Sequence, residues 1–119
     1  METTINAVAA DGLADIFKAL SEPNRLRILA LLREGTLCAC DLEQALGLRQ
    51  SNLSRHLTVL KNARLVSATK KNTFVYYHLS AEHKTGFDIA GFLGTLHGDP
   101  WDADTFSLKT FLTQKNRIC

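Results

Sequence analysis

LCACDLEQALGLRQSNLSRHLTVL, residues 37–60, is the stretch that decides the fold. Leu42, Ala45 and Leu46 form a short apolar stripe at helical spacing. Gly47 breaks that helix where a tight turn is needed. A second helix follows, with Leu53, Leu57 and Leu60 at i, i+4 and i+7 on one face. Its other face offers Gln50, Ser51, Asn52, Ser54, Arg55 and Thr58. Hydroxyls, amides and a guanidinium suit base edges and phosphates in a major groove. The pattern predicts a helix-turn-helix over about 41–63. At its mouth stand Cys38 and Cys40. A soft-ligand pair joined to a DNA-reading element predicts a DNA binder whose grip depends on a thiophilic ligand.

Downstream, residues 65–69 and 74–79 are rich in Val, Thr, Phe and Tyr and alternate loosely, which predicts two strands. Lys70, Lys71, Asn72 and Thr73 would make the turn, with Asn72 accepting a left-handed φ. This hairpin, about 65–79, is a β-wing, and lysines at its tip suit a minor-groove or phosphate contact. Upstream, residues 3–20 read as a helix striped by Leu13, Ile16, Phe17 and Leu20, with Asp11-Gly12 a candidate break. Ser21-Glu22-Pro23-Asn24 is a helix start, with Ser21 as cap and proline in the first turn. That helix runs to about Arg33, with Leu26, Leu29, Ala30 and Leu32 inward, and Gly35 ends it. Arg25 and Arg27 near its start are expected to be solvated or ion-paired rather than on phosphate. Asp41 is expected to cap the first helix of the helix-turn-helix, with Gln44 three residues on. Beyond the wing, a helix over about 81–97 is striped by Phe87, Ala90, Leu93 and Leu96. A short final helix carries Phe106, Leu108, Phe111 and Leu112, capped by Asp104 or Thr105. The fold class expected is mainly α with a β-hairpin wing, a winged helix-turn-helix in one domain over 1–119.

LCACDL followed by SNLSRHLTVLKNARLV resembles the ArsR/SmtB family of metal- and metalloid-responsive repressors, and SEPNRLRIL resembles the same family upstream. The resemblance covers roughly residues 13–79, and the CxCDL element is its most specific part. It implies a homodimer built partly on the first helix, DNA contacts that include His56, and release of DNA when a thiophilic ion binds. Two departures concern the ends of the recognition helix, beside the main one at Glu43 described below. Arg49 replaces the Ser or Thr that usually caps the recognition helix, and Arg64 stands where glycine is common.

At 119 residues the chain fits one domain, burying about 60–70% of its unfolded surface. The net charge is only +2, but residues 44–81 hold no Asp or Glu while Arg49, Arg55, Lys61, Arg64, Lys70 and Lys71 fall there. One side of the fold should therefore be positive, as phosphate binding requires. METTINAVAADG has neither a basic start nor a long apolar run, and no stretch nears about 18 apolar residues. A cytoplasmic protein with reduced thiols and no membrane partner is expected.

Thiolates select As(III), Sb(III), Cd(II), Pb(II), Zn(II) or Cu(I) over hard cations, and a helix N-terminus favours the thiolate. The bland alternative is a pair of small buried cysteines. Two sulfurs leave a shell incomplete, since As(III) takes three and Cd or Zn about four donors. In arsenic sensors of the resembled family a third Cys lies three residues after the second; here that residue is Glu43. Cys119, ending the tail QKNRIC, is the remaining thiol and the candidate third ligand. His83 and His97 bracket the helix where zinc-sensing relatives carry Asp/His ligands. Asp88 and His97 are off one helical face, so that site is not expected.

Nothing resembles a catalytic set, and an enzyme is not expected. The reading is a homodimeric repressor on a palindromic operator, released by As(III) or a similar ion. Rivals are a Cd, Pb or Zn sensor, a redox or persulfide sensor on the same cysteines, and a winged helix used for protein contact with a structural zinc.

Overall fold

The computed structural model describes residues 2–80 and 87–114, with side chains from residue 10 onward. Its elements run α1 (Glu2–Leu20), α2 (Pro23–Leu32), β1 (Leu37–Cys38), α3 (Ala39–Leu46), α4 (Gln50–Asn62), β2 (Val66–Lys71), β3 (Phe74–Leu79), α5 (Ile89–Leu93) and α6 (Trp101–Leu112). This is the expected winged helix-turn-helix.

The core takes the predicted stripes of α3 and α4 but only part of those of α1 and α2: Phe17 is exposed and Leu13 and Leu26 are half-buried, while Ala19, Ile28 and Leu31 are buried as well. Ile16 and Ala19 of α1, Ile28, Leu29, Leu31 and Leu32 of α2, Leu42, Ala45 and Leu46 of α3, and Leu53, Leu57 and Leu60 of α4 are buried together. Each large side chain so buried contributes about 1.5–3 kcal/mol of transfer free energy. Asp11-Gly12 does not break α1. Ser21 is not the cap of α2: its hydroxyl donates back to the Lys18 carbonyl at 2.6 Å, closing α1 instead. Glu22 takes the cap position, its carboxylate accepting from the Arg25 N–H, and Pro23 opens the helix. A carboxylate there also favours the positive end of the helix dipole.

The connector before α3 is a strand. Leu37 pairs with Tyr77 and Cys38 with Tyr76, giving a three-stranded antiparallel sheet in the order β1-β3-β2. Cys38 is also the N-cap of α3, so the helix starts three residues earlier than a cap at Asp41 would allow. Asp41 sits instead at the third helical position, where its carboxylate accepts from the Cys38 N–H at 3.0 Å. Gly47 ends α3 at φ 68°, the left-handed conformation that costs glycine nothing.

In the hairpin, Lys71 pairs with Phe74, so only Asn72 and Thr73 form the turn. Asn72 takes φ 59°, as expected of it. Lys70 and Lys71 belong to the end of β2 rather than to the turn, and both are exposed.

The long helix expected over 81–97 begins in residues 81–86, which lie outside the described residues. Its described part is short: α5 starts after Asp88, whose carboxylate accepts the Gly91 N–H, and stops at Gly94. α6 is not capped by Asp104 or Thr105. Pro100 precedes it, and Asp104 is buried, paired with Arg27 of α2. Through that pair α6 packs across α2 and α3 of the same chain. Arg33, at the end of α2, donates to the Leu93 carbonyl and ties α5 to the same core. Among the described residues no helix is long and apolar enough to cross a membrane.

Candidate nucleic-acid interface and thiol site

α4 presents two unlike faces. Leu53, His56, Leu57 and Leu60 are buried, while Gln50, Ser51, Ser54, Arg55 and Thr58 are exposed and Asn52 is half-buried. Arg49, at the N-cap, makes no side-chain cap, and Leu53 N–H bonds its carbonyl at 2.9 Å instead. The Arg55 guanidinium donates to Asn52 Oδ1 at 2.6 Å, one turn back. The Thr58 hydroxyl donates to the Ser54 carbonyl at 2.9 Å. These contacts hold a polar, cationic strip outward on a helix whose other side is fixed in the core. Such a strip can hydrogen-bond base edges and phosphates. Lys70 and Lys71 stand exposed on the adjoining wing.

His56 does not belong to that strip. Its side chain points inward, and the residue is only 4% exposed. Its Nδ1 lies 3.3 Å from Arg25 Nη1, and its Nε2 lies 3.4 Å from Glu22 Oε2. Arg25 in turn donates to the carbonyls of Ala19 and Lys18 at the end of α1. The place of His56 follows from spacing: it stands at i+3 from Leu53, completing the i, i+3, i+4, i+7 apolar stripe. The family resemblance had implied a place at the groove. Burial pushes its pKa below the ordinary 6.5, Glu22 opposes that shift, and Arg25 and Arg55 reinforce it.

The two cysteines lie on one short segment in different surroundings. Cys38, at the junction of β1 and α3, is buried. Cys40, in the first turn of α3, is half-buried and disulfide-bonded. Glu43, one turn further along α3, is half-buried. Soft donors number two here only when Cys40 is reduced, and among the described residues no group of three Cys, His, Asp or Glu side chains is placed to hold one ion. Cys119 lies outside the described residues. The position of Cys38 has a mechanical meaning that spacing alone did not show. One residue both pairs with the wing strand β3 and starts the helix that leads into α4.

Known proteins resemble this chain in sequence and in fold. A profile described as "Bacterial regulatory protein, arsR family" matches residues 22–68. The arsenical resistance operon repressor of Bacillus subtilis is 41% identical over 71 residues, which is 59% of this chain and 68% of that protein. The chain belongs to the ArsR family. The transcriptional repressor SmtB homologue of Synechocystis is 38% identical over 74 residues, and the match spans 62% of this chain but only 56% of that protein. A cadmium resistance regulator, the CadC homologue of Staphylococcus aureus, is 39% identical over 72 residues, 60% of each chain. Among solved structures, the homodimeric winged helix-turn-helix DNA-binding domain Mb0332 of Mycobacterium bovis superposes with a TM-score of 0.64 at 31% identity. It covers 75% of this chain and 78% of that one. The ArsR-family relatives are DNA-binding transcriptional regulators, not enzymes.

Proposed function

We propose that the chain is a homodimeric repressor that binds a two-fold related operator through α4 and the wing, and that it lets go when a thiophilic ion, As(III) foremost, is held by reduced Cys38 and Cys40. The observation that carries this reading is the double role of Cys38. An ion drawing Cys38 and Cys40 together acts at once on the wing strand and on the helix that leads into α4. Ligand and DNA then favour different arrangements of the same segment, and the coupling between them is reciprocal. The names of the arsenical and cadmium relatives support a metal or metalloid inducer.

The DNA side rests on Gln50, Ser51, Asn52, Ser54 and Arg55 of α4 with Lys70 and Lys71 of the wing. Dimerisation is supported by the homodimeric relative and by an exposed aromatic strip. Phe17 of α1 is 55% exposed and its ring meets Phe87 at 5.7 Å, which meets Phe92 of α5 at 6.1 Å. Apolar surface of that kind marks a contact face. One recognition helix reads few base pairs, so a second copy supplies the other half-site.

The third donor that As(III) takes is proposed to be Cys119, with glutathione or solvent oxygen the alternative. Glu43 is a hard carboxylate and serves As(III) poorly, while it could serve Cd or Zn.

The test is arsenite-dependent release from a fragment carrying the promoter of the chain's own gene, in reducing buffer. Wild type should release. Cys38→Ser and Cys40→Ser should stay bound, because a neutral hydroxyl is a poor soft-ion ligand. Release that survives in the double variant sinks the sensor. A second reading, oxidation of Cys40 as the trigger, has the disulfide in its favour. Release by a thiol oxidant alone, reversed by dithiothreitol and unaffected by arsenite, would select it.

A further inference from the structure

We propose that His56 is a positioning residue, holding the recognition helix at a set place against the junction of α1 and α2 so that α4 meets DNA correctly without His56 touching it. This rests on α4 being the DNA-reading helix, as proposed above.

The geometry leaves little freedom. Arg25 can only donate, so Nδ1 of His56 accepts from its Nη1 at 3.3 Å. The ring proton therefore sits on Nε2, which faces Glu22 Oε2 at 3.4 Å. Both partners are anchored elsewhere. Glu22 caps the Arg25 N–H at 3.2 Å, and Arg25 Nε donates to the Ala19 carbonyl at 2.7 Å. The line Ala19–Arg25–His56 thus joins the last turn of α1, the first turn of α2 and the middle of α4. α1 is the helix proposed to carry the dimer contact. The spacing of two recognition helices in a dimer depends on such joints, and an error near 1 Å is enough to misplace side chains at base edges.

The joint is built for a neutral ring. Protonating Nδ1 would bring a proton against the Arg25 guanidinium and remove the acceptor it uses. The charged groups facing the ring among the described residues are Glu22 and Arg25 from α2 and Arg55 from its own helix. Two cations and one anion leave the charged ring without full compensation. Acid should therefore loosen the joint. Bulk electrostatics run the other way, since acid makes the protein more cationic and strengthens phosphate attraction. A fall in operator affinity on acidification is thus diagnostic.

The experiment is fluorescence anisotropy on the own-promoter fragment from pH 8 to pH 5.5, for full-length wild type, His56→Gln, His56→Leu and Arg55→Ala. Circular dichroism and sedimentation are run alongside. Wild type should lose about tenfold or more in affinity across that range. His56→Gln keeps an N–H donor and cannot titrate, so its affinity should hold nearly level with pH. His56→Leu should stay folded and dimeric yet bind at least tenfold more weakly at pH 8; if it does not fold, the Gln profile decides. A Gln variant that follows the wild-type pH profile, or a folded Leu variant that binds like wild type, overturns the inference. If Arg55→Ala binds as wild type, the reading of α4 beneath it fails instead.

Discussion

Single residues in this chain are strained or hidden in ways that make sharp predictions. Arg64, just past the end of α4, takes φ 63°, where a side chain costs about 1–2 kcal/mol relative to the right-handed region. Glycine would remove that strain and lose some of the gain to unfolded-state entropy. Arg64→Gly should therefore raise stability by about 1 kcal/mol, read as a higher urea midpoint at unchanged slope. His56 sets a second expectation. Its pKa is lowered in the folded chain, chiefly by burial, so below about 6.5 the unfolded chain takes up the proton more readily than the folded one. Stability should rise with pH up to about 6.5 and, as pH falls below it, decline down to the folded value. In His56→Leu this share of the decline should vanish. Both residues were partly legible in the sequence. Arg64 was visible as a departure from a common glycine, and its left-handed backbone follows from the turn that must join α4 to β2. His56 had the spacing of a core residue and the chemistry of a surface one. Spacing prevailed because Glu22 and Arg25 satisfy both ring nitrogens inside, and those partners are 31 or more residues away in the chain. Pattern reading cannot see them.

At the scale of elements, the helices announced themselves and the short strand did not. The stripes of α3 and α4 obey the 3.6-residue period, whereas α2 buries the unbroken run 28–32, and the wing has β-branched and aromatic runs around a two-residue turn. β1 is two residues long, below what alternation can signal, and exists because β3 offers it an edge. Missing it hid the link from Cys38 to the wing. α4 and the wing make separable predictions. Arg55 is exposed, and its only described partner is Asn52 on its own helix, so Arg55→Ala should spare the fold and cost about 1–3 kcal/mol in operator affinity. Lys70→Ala with Lys71→Ala should weaken binding to all sequences alike and lower the slope of log affinity against log salt by about 2. If the operator and an unrelated duplex lost affinity unequally in the lysine variant, the wing would be reading sequence rather than phosphate.

Across the whole molecule, α6 packs against the end of the fold that carries the cysteines. Arg27 Nη2 meets Asp104 Oδ1 at 2.8 Å and Arg27 Nε meets Oδ2 at 2.9 Å, a two-pronged pair joining residues 77 apart in the chain. Asp104 is 5% exposed, and the pair raises the Arg27 pKa through the side-chain hydrogen bond first. Beside it Leu108 and Phe111 are buried, and α6 lies along α3, the helix that starts at the cysteines. The sequence showed α6 as an apolar helix but not its seat, because a salt bridge over that separation leaves no periodic trace. Removing one partner leaves the other half-buried and uncompensated, which is worse than removing both. Asp104→Ala should therefore cost about 2–3 kcal/mol of unfolding free energy. The double variant Arg27→Met with Asp104→Leu should recover most of that loss, since apolar groups of similar size fill the same space. Urea unfolding of wild type, Arg27→Met, Asp104→Leu and the double variant makes a complete cycle. Asp104→Ala unfolding at the wild-type midpoint would show that α6 is held by Leu108 and Phe111 alone. A double variant no better than the single one would show that Arg27 and Asp104 act with a further polar group rather than as a pair.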